Sequence, residues 1–289
     1  MRPSTRPTTK RSLSRLKSDR TGEPLIESSN SSTPVCIVDT CIGGLSVVKS
    51  LWGAKSAGDV LFIADYAVNP LGVKSDSEIG EVIHRWTGFA KGRSDTLVLA
   101  CNTLSIRYHQ LFAADSRHPG LEHIVSMVDC FAAMTRNEVG RLAGRNVLIV
   151  GTEFTASQVL YPDLLRAAVQ GVRVSTVAAT ELERKIARFE ARSVDDGSVL
   201  TEELRRALEN TDIAVLACTC FPMVKAQLET RYPGVKFLDP GAYAARLLAG
   251  SAASKDRDLR IRVTGDDVSA DRVKEFAVQY LSDASVRLY

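Results

Sequence analysis

No apolar run in the 289 residues approaches the roughly 20 that a helix needs to span a bilayer. A charged-then-apolar leader with a small-residue cleavage site is missing as well. Both absences lead to the expectation of a soluble, cytoplasmic protein with no membrane partner. A disulfide framework is also lacking: Cys36, Cys41, Cys101, Cys130, Cys218 and Cys220, in a long chain without a secretion signal, read as reduced thiols. The overall charge of +3 does not make a basic surface. Residues 1–20 hold seven Lys/Arg and one acid, and the rest of the chain holds 30 basic and 33 acidic side chains. A slightly acidic body argues against a nucleic-acid partner, which requires a basic stripe on folded structure. The dinucleotide fingerprint fails too, because Asp39-Thr40-Cys41-Ile42-Gly43-Gly44 lacks the third glycine of the expected spacing. Cys218 and Cys220 are spaced i,i+2 with no neighbouring His, which is not a usual zinc pattern, and no metal site is expected.

What is present begins with a polar segment. Residues 1–32 are rich in Ser, Thr, Arg, Lys and Pro, cannot offset their ordering entropy by burial, and are expected to be a disordered basic tail. An organelle transit peptide is the alternative, since the first 18 residues contain no acid. From Val35 onward, short apolar runs alternate with amphipathic stretches. The expected strands are Val35–Asp39, Val60–Ala64, Thr96–Ala100, Ile124–Val128, Val147–Val150, Val172–Val177, Ile213–Ala217, Val235–Leu238 and Arg260–Thr264. Most are unbroken apolar runs, which marks strands buried on both faces. Helical patterns such as Ile79–Phe89, Leu104–Ala114, Glu202–Leu208 and Asp271–Leu281 fill the gaps, so the expected class is α/β with parallel sheets flanked by helices.

One repeat organises the chain. Asp95-Thr-Leu-Val-Leu-Ala-Cys101 is echoed by Asp212-Ile-Ala-Val-Leu-Ala-Cys218, and Val35-Cys-Ile-Val-Asp39 and Val147-Leu-Ile-Val-Gly151 hold comparable places before them. Two similar α/β domains are expected, each placing a Cys at the carboxyl end of a central strand. Ligands bind at that edge of open α/β sheets, so facing domains would hold a substrate between two thiols.

Each thiol sits before an expected helix. Asn102 or Thr103 is positioned to cap the helix after Cys101, and Pro222 suits the first turn after Cys218. A helix N-terminus lowers a thiol pKa, which favours a thiolate able to take a proton. A small apolar residue packed in the sheet is the plainer reading of either cysteine alone; the matched pair favours function. Asp39 before Gly43-Gly44 reads either as a helix cap or as a carboxylate beside a tight turn that approaches a ligand closely.

The ordered motifs Asp-Thr-x-x-Gly-Gly-Leu-Ser-Val (39–47), Asp65 then Asn-Pro-Leu-Gly (69–72), Ala-Cys-Asn-Thr (100–103), Gly-Thr-x-x-Thr (151–155) and Cys-Thr-x-Phe-Pro (218–222) resemble glutamate racemase, of the aspartate/glutamate racemase superfamily. The likeness continues through Leu238-Asp239-Pro240-Gly241 and Thr264-Gly265-Asp266, covering roughly residues 34–283. The resemblance implies two α/β domains, about 33–128 plus 238–289 and 129–237, with the active site in the cleft. It implies interconversion of L- and D-glutamate, supplying D-glutamate for peptidoglycan, without pyridoxal phosphate or metal, and is compatible with a homodimer. Cys101 would work on the D-enantiomer and Cys218 on the L-enantiomer, with Asp39 assisting Cys101 and meeting the substrate ammonium. Thr40, Asn102, Thr103, Thr152 and Thr219, with the Pro70-Leu71-Gly72 backbone, would hold the two carboxylates. Inversion in general needs an acid and a base on opposite faces of the carbon.

Four departures stand out against that resemblance. Cys220 replaces a His that supports the second cysteine, and only Glu190 lies near the place of the acid that pairs with that His. Leu71 replaces a Tyr, and Cys41 replaces a Gly. An acidic substrate such as aspartate, a more apolar one, or a non-catalytic binding role therefore stays open. Cys218 and Cys220 also raise the expectation of a strained local disulfide on oxidation.

Overall fold

The computed structural model describes residues 33–112, 121, 123–190, 199–248, 257–282 and 284–289. The expected tail, residues 1–32, lies outside the described residues. Two parallel sheets form. The larger has the order β10-β9-β2-β1-β3-β4 and the smaller β6-β5-β7-β8. Their strands are β1 (Val35–Asp39), β2 (Val60–Asp65), β3 (Thr96–Leu99), β4 (His123–Ser126), β5 (Asn146–Gly151), β6 (Arg173–Ala178), β7 (Ile213–Ala217), β8 (Lys236–Leu238), β9 (Asp258–Thr264) and β10 (Ser285–Leu288). The suborders β2-β1-β3-β4 and β6-β5-β7-β8 are the same, so the sequence repeat is a repeat of topology, with β9 and β10 added to one edge.

Burial on both faces explains the unbroken apolar runs. Along β1, Val35 and Ile37 join one core cluster while Cys36 and Val38 join another. Helices cover both sides. The Cys36 and Val38 face packs on α2 (Asp76–Ala90) and α3 (Asn102–Phe112) through Ile79, Ile83, Trp86 and Leu104. The opposite face packs on α1 (Gly44–Gly53) through Leu45, Val48 and Leu51, and the same cluster runs on into Leu148, Val150 and Leu216 of the smaller sheet. The two halves therefore share apolar core. A third cluster packs β5 and β7 against α4 (Met127–Asn137) and α5 (Leu160–Ala168).

The expected elements are found among the described residues, with three corrections; Ala113 and Ala114, the end of the expected helix Leu104–Ala114, lie outside the described residues. The run Ile124–Val128 is not all strand: β4 ends at Ser126, whose hydroxyl accepts from the Asp129 amide while Asp129 returns to the Ser126 amide, a capping box that starts α4. Asn102 and Thr103 do not cap α3 from outside but form its first turn. The strand β10 went unforeseen, because Ser285-Val286-Arg287-Leu288 is short and alternates.

Some of the shared motifs serve the fold. Asp65 accepts from Arg85 at 2.9 Å, from Trp86 Nε1 at 2.7 Å and from Thr264 Oγ1. That ties β2 to α2 and to the end of β9. Gly265 follows at φ +83°, and a Cβ there would stand 2.7 Å from the Ala67 amide nitrogen, so glycine is required.

Candidate active site

The strand order reverses direction between β1 and β3 and again between β5 and β7. Such switch points leave a crevice at the carboxyl ends of the strands. A cavity of about 440 Å³ lies there, between the two sheets. Its wall contains every residue assigned from the sequence: Asp39, Thr40 and Cys101 near the ends of β1 and β3, with Asn102 and Thr103 opening α3. Thr152, Cys218 and Thr219 follow β5 and β7, and Pro70, Leu71 and Gly72 form the loop after β2.

Register explains the pairing of these side chains. Val38 stands beside Leu99, so two residues on, Thr40 comes beside Cys101, and its Oγ1 lies 3.7 Å from the Cys101 sulfur. In the other half Gly151 stands beside Ala217, so Thr152 and Cys218 occupy the matching places. Both thiols are nearly covered, at 9% and 8% exposure, which leaves each a small face on the cavity.

The Cys101 side is the more elaborated. Asp39 accepts from the Thr40 amide at 2.6 Å and from Thr219 Oγ1 at 2.8 Å, which ties a carboxylate of one half to a hydroxyl of the other. Burial raises its pKa to about 7 despite those bonds, and Glu183 adds to the rise. The Cys101 thiol is likewise pushed well up, first by burial and then by the Asp39 charge. Hydrogen bonding from the Leu104 amide in the first turn of α3, and from Thr40, opposes it. The expected lowering by the helix N-terminus is thus present but outweighed, because desolvating a thiolate costs more than one or two donors return. The Asn102 Oδ1 accepts from Tyr161 Oη at 2.8 Å, fixing that amide. Thr103, Thr152 and Thr155 form a hydroxyl cluster with Oγ1 separations of 3.2, 3.4 and 3.2 Å.

Around Cys218 the structure departs from expectation. Glu190 does not reach the site; it is half exposed and 3.5 Å from Arg184. The acid that arrives is Glu183, from α6 (Thr180–Ala187), a cavity-wall residue whose carboxyl is raised to about 7 by burial. The sulfur that contacts Cys220 at 3.3 Å is Cys41, and all six cysteines are free. Cys220 therefore meets a second sulfur, Cys41, in addition to the expected neighbour Cys218, with which it shares a side-chain hydrogen bond. Two of the departures from the resemblance thus meet in space: Cys41, where the resemblance has the smaller Gly, touches Cys220, where it has the larger His. The close approach at Gly43 is not to a ligand either. A Cβ there would lie 2.5 Å from Thr219 Oγ1 and 2.9 Å from the Cys220 amide, so the glycine lets the two halves touch. Asp39 is not the residue that precedes α1, which begins after Gly43, but its carboxylate accepts from the Gly44 amide in the first turn of that helix. Pro222 is the second residue of a 3₁₀ turn, Phe221–Val224.

Sequence reading missed Asn69, whose amide donates to the Thr40 carbonyl at 2.8 Å, and Phe154, which packs over Gly72. Asn69 was legible in the quoted motif; Glu183 and Phe154 carried no local signal.

Two α/β halves of one topology, with a small-molecule cavity between them and a buried thiol on each wall, define a class of enzyme. The chain belongs to the Asp/Glu/hydantoin racemase family, whose model matches residues 70–248. It is 32% identical over 225 residues to a glutamate racemase of Pseudomonas paraeruginosa, covering 75% of this chain and 80% of that protein. A glutamate racemase of Deinococcus radiodurans is 30% identical over 221 residues, covering 75% of this chain and 73% of the relative. The crystal structure of glutamate racemase from Campylobacter jejuni shares the fold, with a TM-score of 0.67 at 21% identity, over 86% of this chain and 98% of that one.

Proposed function

We propose that this protein is a glutamate racemase that inverts the substrate α-carbon between Cys101 and Cys218 without an organic cofactor. The observation that carries this reading is the placement of two thiols at matching strand ends on the walls of one cavity. Inversion requires a proton acceptor and a proton donor on opposite sides of one carbon, exchanging roles with direction. Cys101 as thiolate takes the α-proton of the D-enantiomer while the Cys218 thiol protonates the other face; the reverse serves the L-enantiomer. Burial and the Asp39 charge favour a protonated Cys101. A substrate ammonium beside Asp39 offsets that charge and favours the thiolate. Among the described residues lining the cavity there is no Lys, Arg or His. The two substrate carboxylates would therefore be held by neutral donors: the hydroxyls of Thr40, Thr103, Thr152 and Thr219, the Asn102 amide, and backbone N–H groups near Gly72.

We take residues 33–128 with 238–289 as one domain and 129–237 as the other. The product D-glutamate would serve peptidoglycan synthesis in the cytoplasm, and a homodimer is the assembly we propose. Among the described residues no helix is long and apolar enough to cross a membrane. A second reading, a racemase for aspartate or a more apolar amino acid, draws on Leu71, which is buried in the cavity wall without a hydroxyl to offer.

The experiment is α-proton exchange in heavy water, with purified protein and no added cofactor. Exchange into both enantiomers of glutamate, abolished separately by Cys101→Ser and by Cys218→Ser, is expected. Exchange confined to another amino acid moves the assignment to the second reading. No exchange with any of a panel of acidic and apolar amino acids overturns both.

A further inference from the structure

Cys41, Glu183 and Cys220 have no assigned part in the proton transfer, and they meet from three segments of the chain. Cys41 follows β1 in the larger half, Cys220 follows β7 in the smaller, and Glu183 reaches in from α6. The two sulfurs are 3.3 Å apart, Cys41 Sγ is 3.9 Å from Glu183 Oε1, and the three donor atoms all lie within 4.8 Å of one another. Both thiols are buried.

Three groups that become anionic are thus gathered with little to neutralise them. The nearby guanidinium groups are engaged elsewhere: Arg184 with Glu181 at 2.8 Å and with Glu190, and Arg188 with Asp267 at 3.8 Å. Among the described residues none forms an ion pair with Glu183. Two thiolates and one carboxylate are a zinc donor set. A tetrahedral ion with Zn–S near 2.3 Å places its two sulfurs roughly 3.7–3.8 Å apart, so the observed pair needs to part by only a few tenths of an ångström. Cys41 and Glu183 both line the cavity, so the cluster borders it.

We propose that Cys41, Glu183 and Cys220 form a binding site for a thiophilic divalent cation, zinc being the physiological candidate, at the border of the cavity beside Cys218. The ion ties the loop after β1 to the turn after β7 and so clamps the two halves together. It takes no part in the proton transfer, and the proposal stands whether or not glutamate is the substrate. Spacing along the chain concealed the site, because the i,i+2 pair Cys218 and Cys220 is not the ligand pair; Cys41, 179 residues from Cys220, is the second thiol.

The test is a titration of the reduced, chelator-treated full chain with Co²⁺, followed by thiolate-to-metal charge-transfer absorbance, and then displacement by Zn²⁺. One equivalent is expected to produce the band, and Zn²⁺ to abolish it. Cys41→Ser and Cys220→Ser should each remove or halve the band, while Cys101→Ser and Cys218→Ser keep it. Glu183→Gln leaves both thiols in place and guards against variants that misfold. It should weaken binding by more than the roughly 10–100-fold that losing an outer partner of a metal ligand costs. Absence of the band in the unmodified protein, its survival at full intensity in Cys41→Ser, or its loss in Cys101→Ser overturns the proposal. So does recovery of a Cys41–Cys220 disulfide from protein whose thiols are blocked at lysis, which would make the pair a redox couple.

Discussion

Replacing Asp39 by Asn removes one titrating proton from the centre of the cavity and nothing else that titrates. The unfolded chain releases the Asp39 proton near the ordinary 3.8, whereas burial raises the folded value to about 7. Between those values the folded protein holds a proton that the unfolded chain has lost. Stability must then fall as pH rises, because the unfolded state gains relative to the folded one with each proton it does not bind. The advantage is whole below about pH 4 and gone once pH passes about 7. At about 1.4 kcal/mol per pH unit, the rise from 3.8 to about 7 sets a ceiling of about 4 kcal/mol. Relaxation and water entry reduce what is realised. Glu183 is raised to about 7 from 4.5 with the same sign, so the absolute stability of the protein also carries its contribution. The difference between the protein and Asp39→Asn cancels Glu183 to first order. Urea unfolding of both proteins at pH 5, 6, 7 and 8, without substrate, measures that difference. The stability of the protein minus that of Asp39→Asn should fall by about 2 kcal/mol from pH 5 to pH 7 and stay nearly level to pH 8. A difference that is flat or grows with pH refutes the claim that burial dominates the Asp39 carboxyl.

The contact of Cys41 with Cys220 makes a paired prediction. Cys220→His alone overpacks a site whose neighbouring sulfur is 3.3 Å away and should cost about 1–3 kcal/mol; adding Cys41→Gly should recover most of it, read by urea midpoint. Tyr161→Phe removes the donor to a buried amide oxygen and should cost about 1–3 kcal/mol. The same change frees the Asn102 amide to turn, so exchange kinetics should show a raised KM.

The β-strands and the twin positions of Cys101 and Cys218 were legible because both are local. A buried parallel strand is a short apolar run whatever surrounds it, and a residue just past its carboxyl end stands at the ligand-binding edge by topology alone. Asp39 was legible as the last residue of an apolar strand, whereas Thr40, Thr103, Thr152 and Thr219 were assigned only through the motifs that resemble glutamate racemase. Even β4 failed only at its boundary, where the capping by Ser126 and Asp129 competed with an apolar run. Tertiary structure decided what depends on distance between segments. Burial, a property of the assembled halves, raised the Cys101 thiol against the helix effect that the sequence suggested. The same assembly brought in Glu183 in place of Glu190, and joined Cys41 to Cys220 across 179 positions. No local pattern encodes which side chains of two halves come to face each other, because that is set by how the shared apolar cluster brings the sheets together. The sequence by itself determined two α/β halves with a thiol at each binding edge; only their packing decided the electrostatics of those thiols and who their neighbours are.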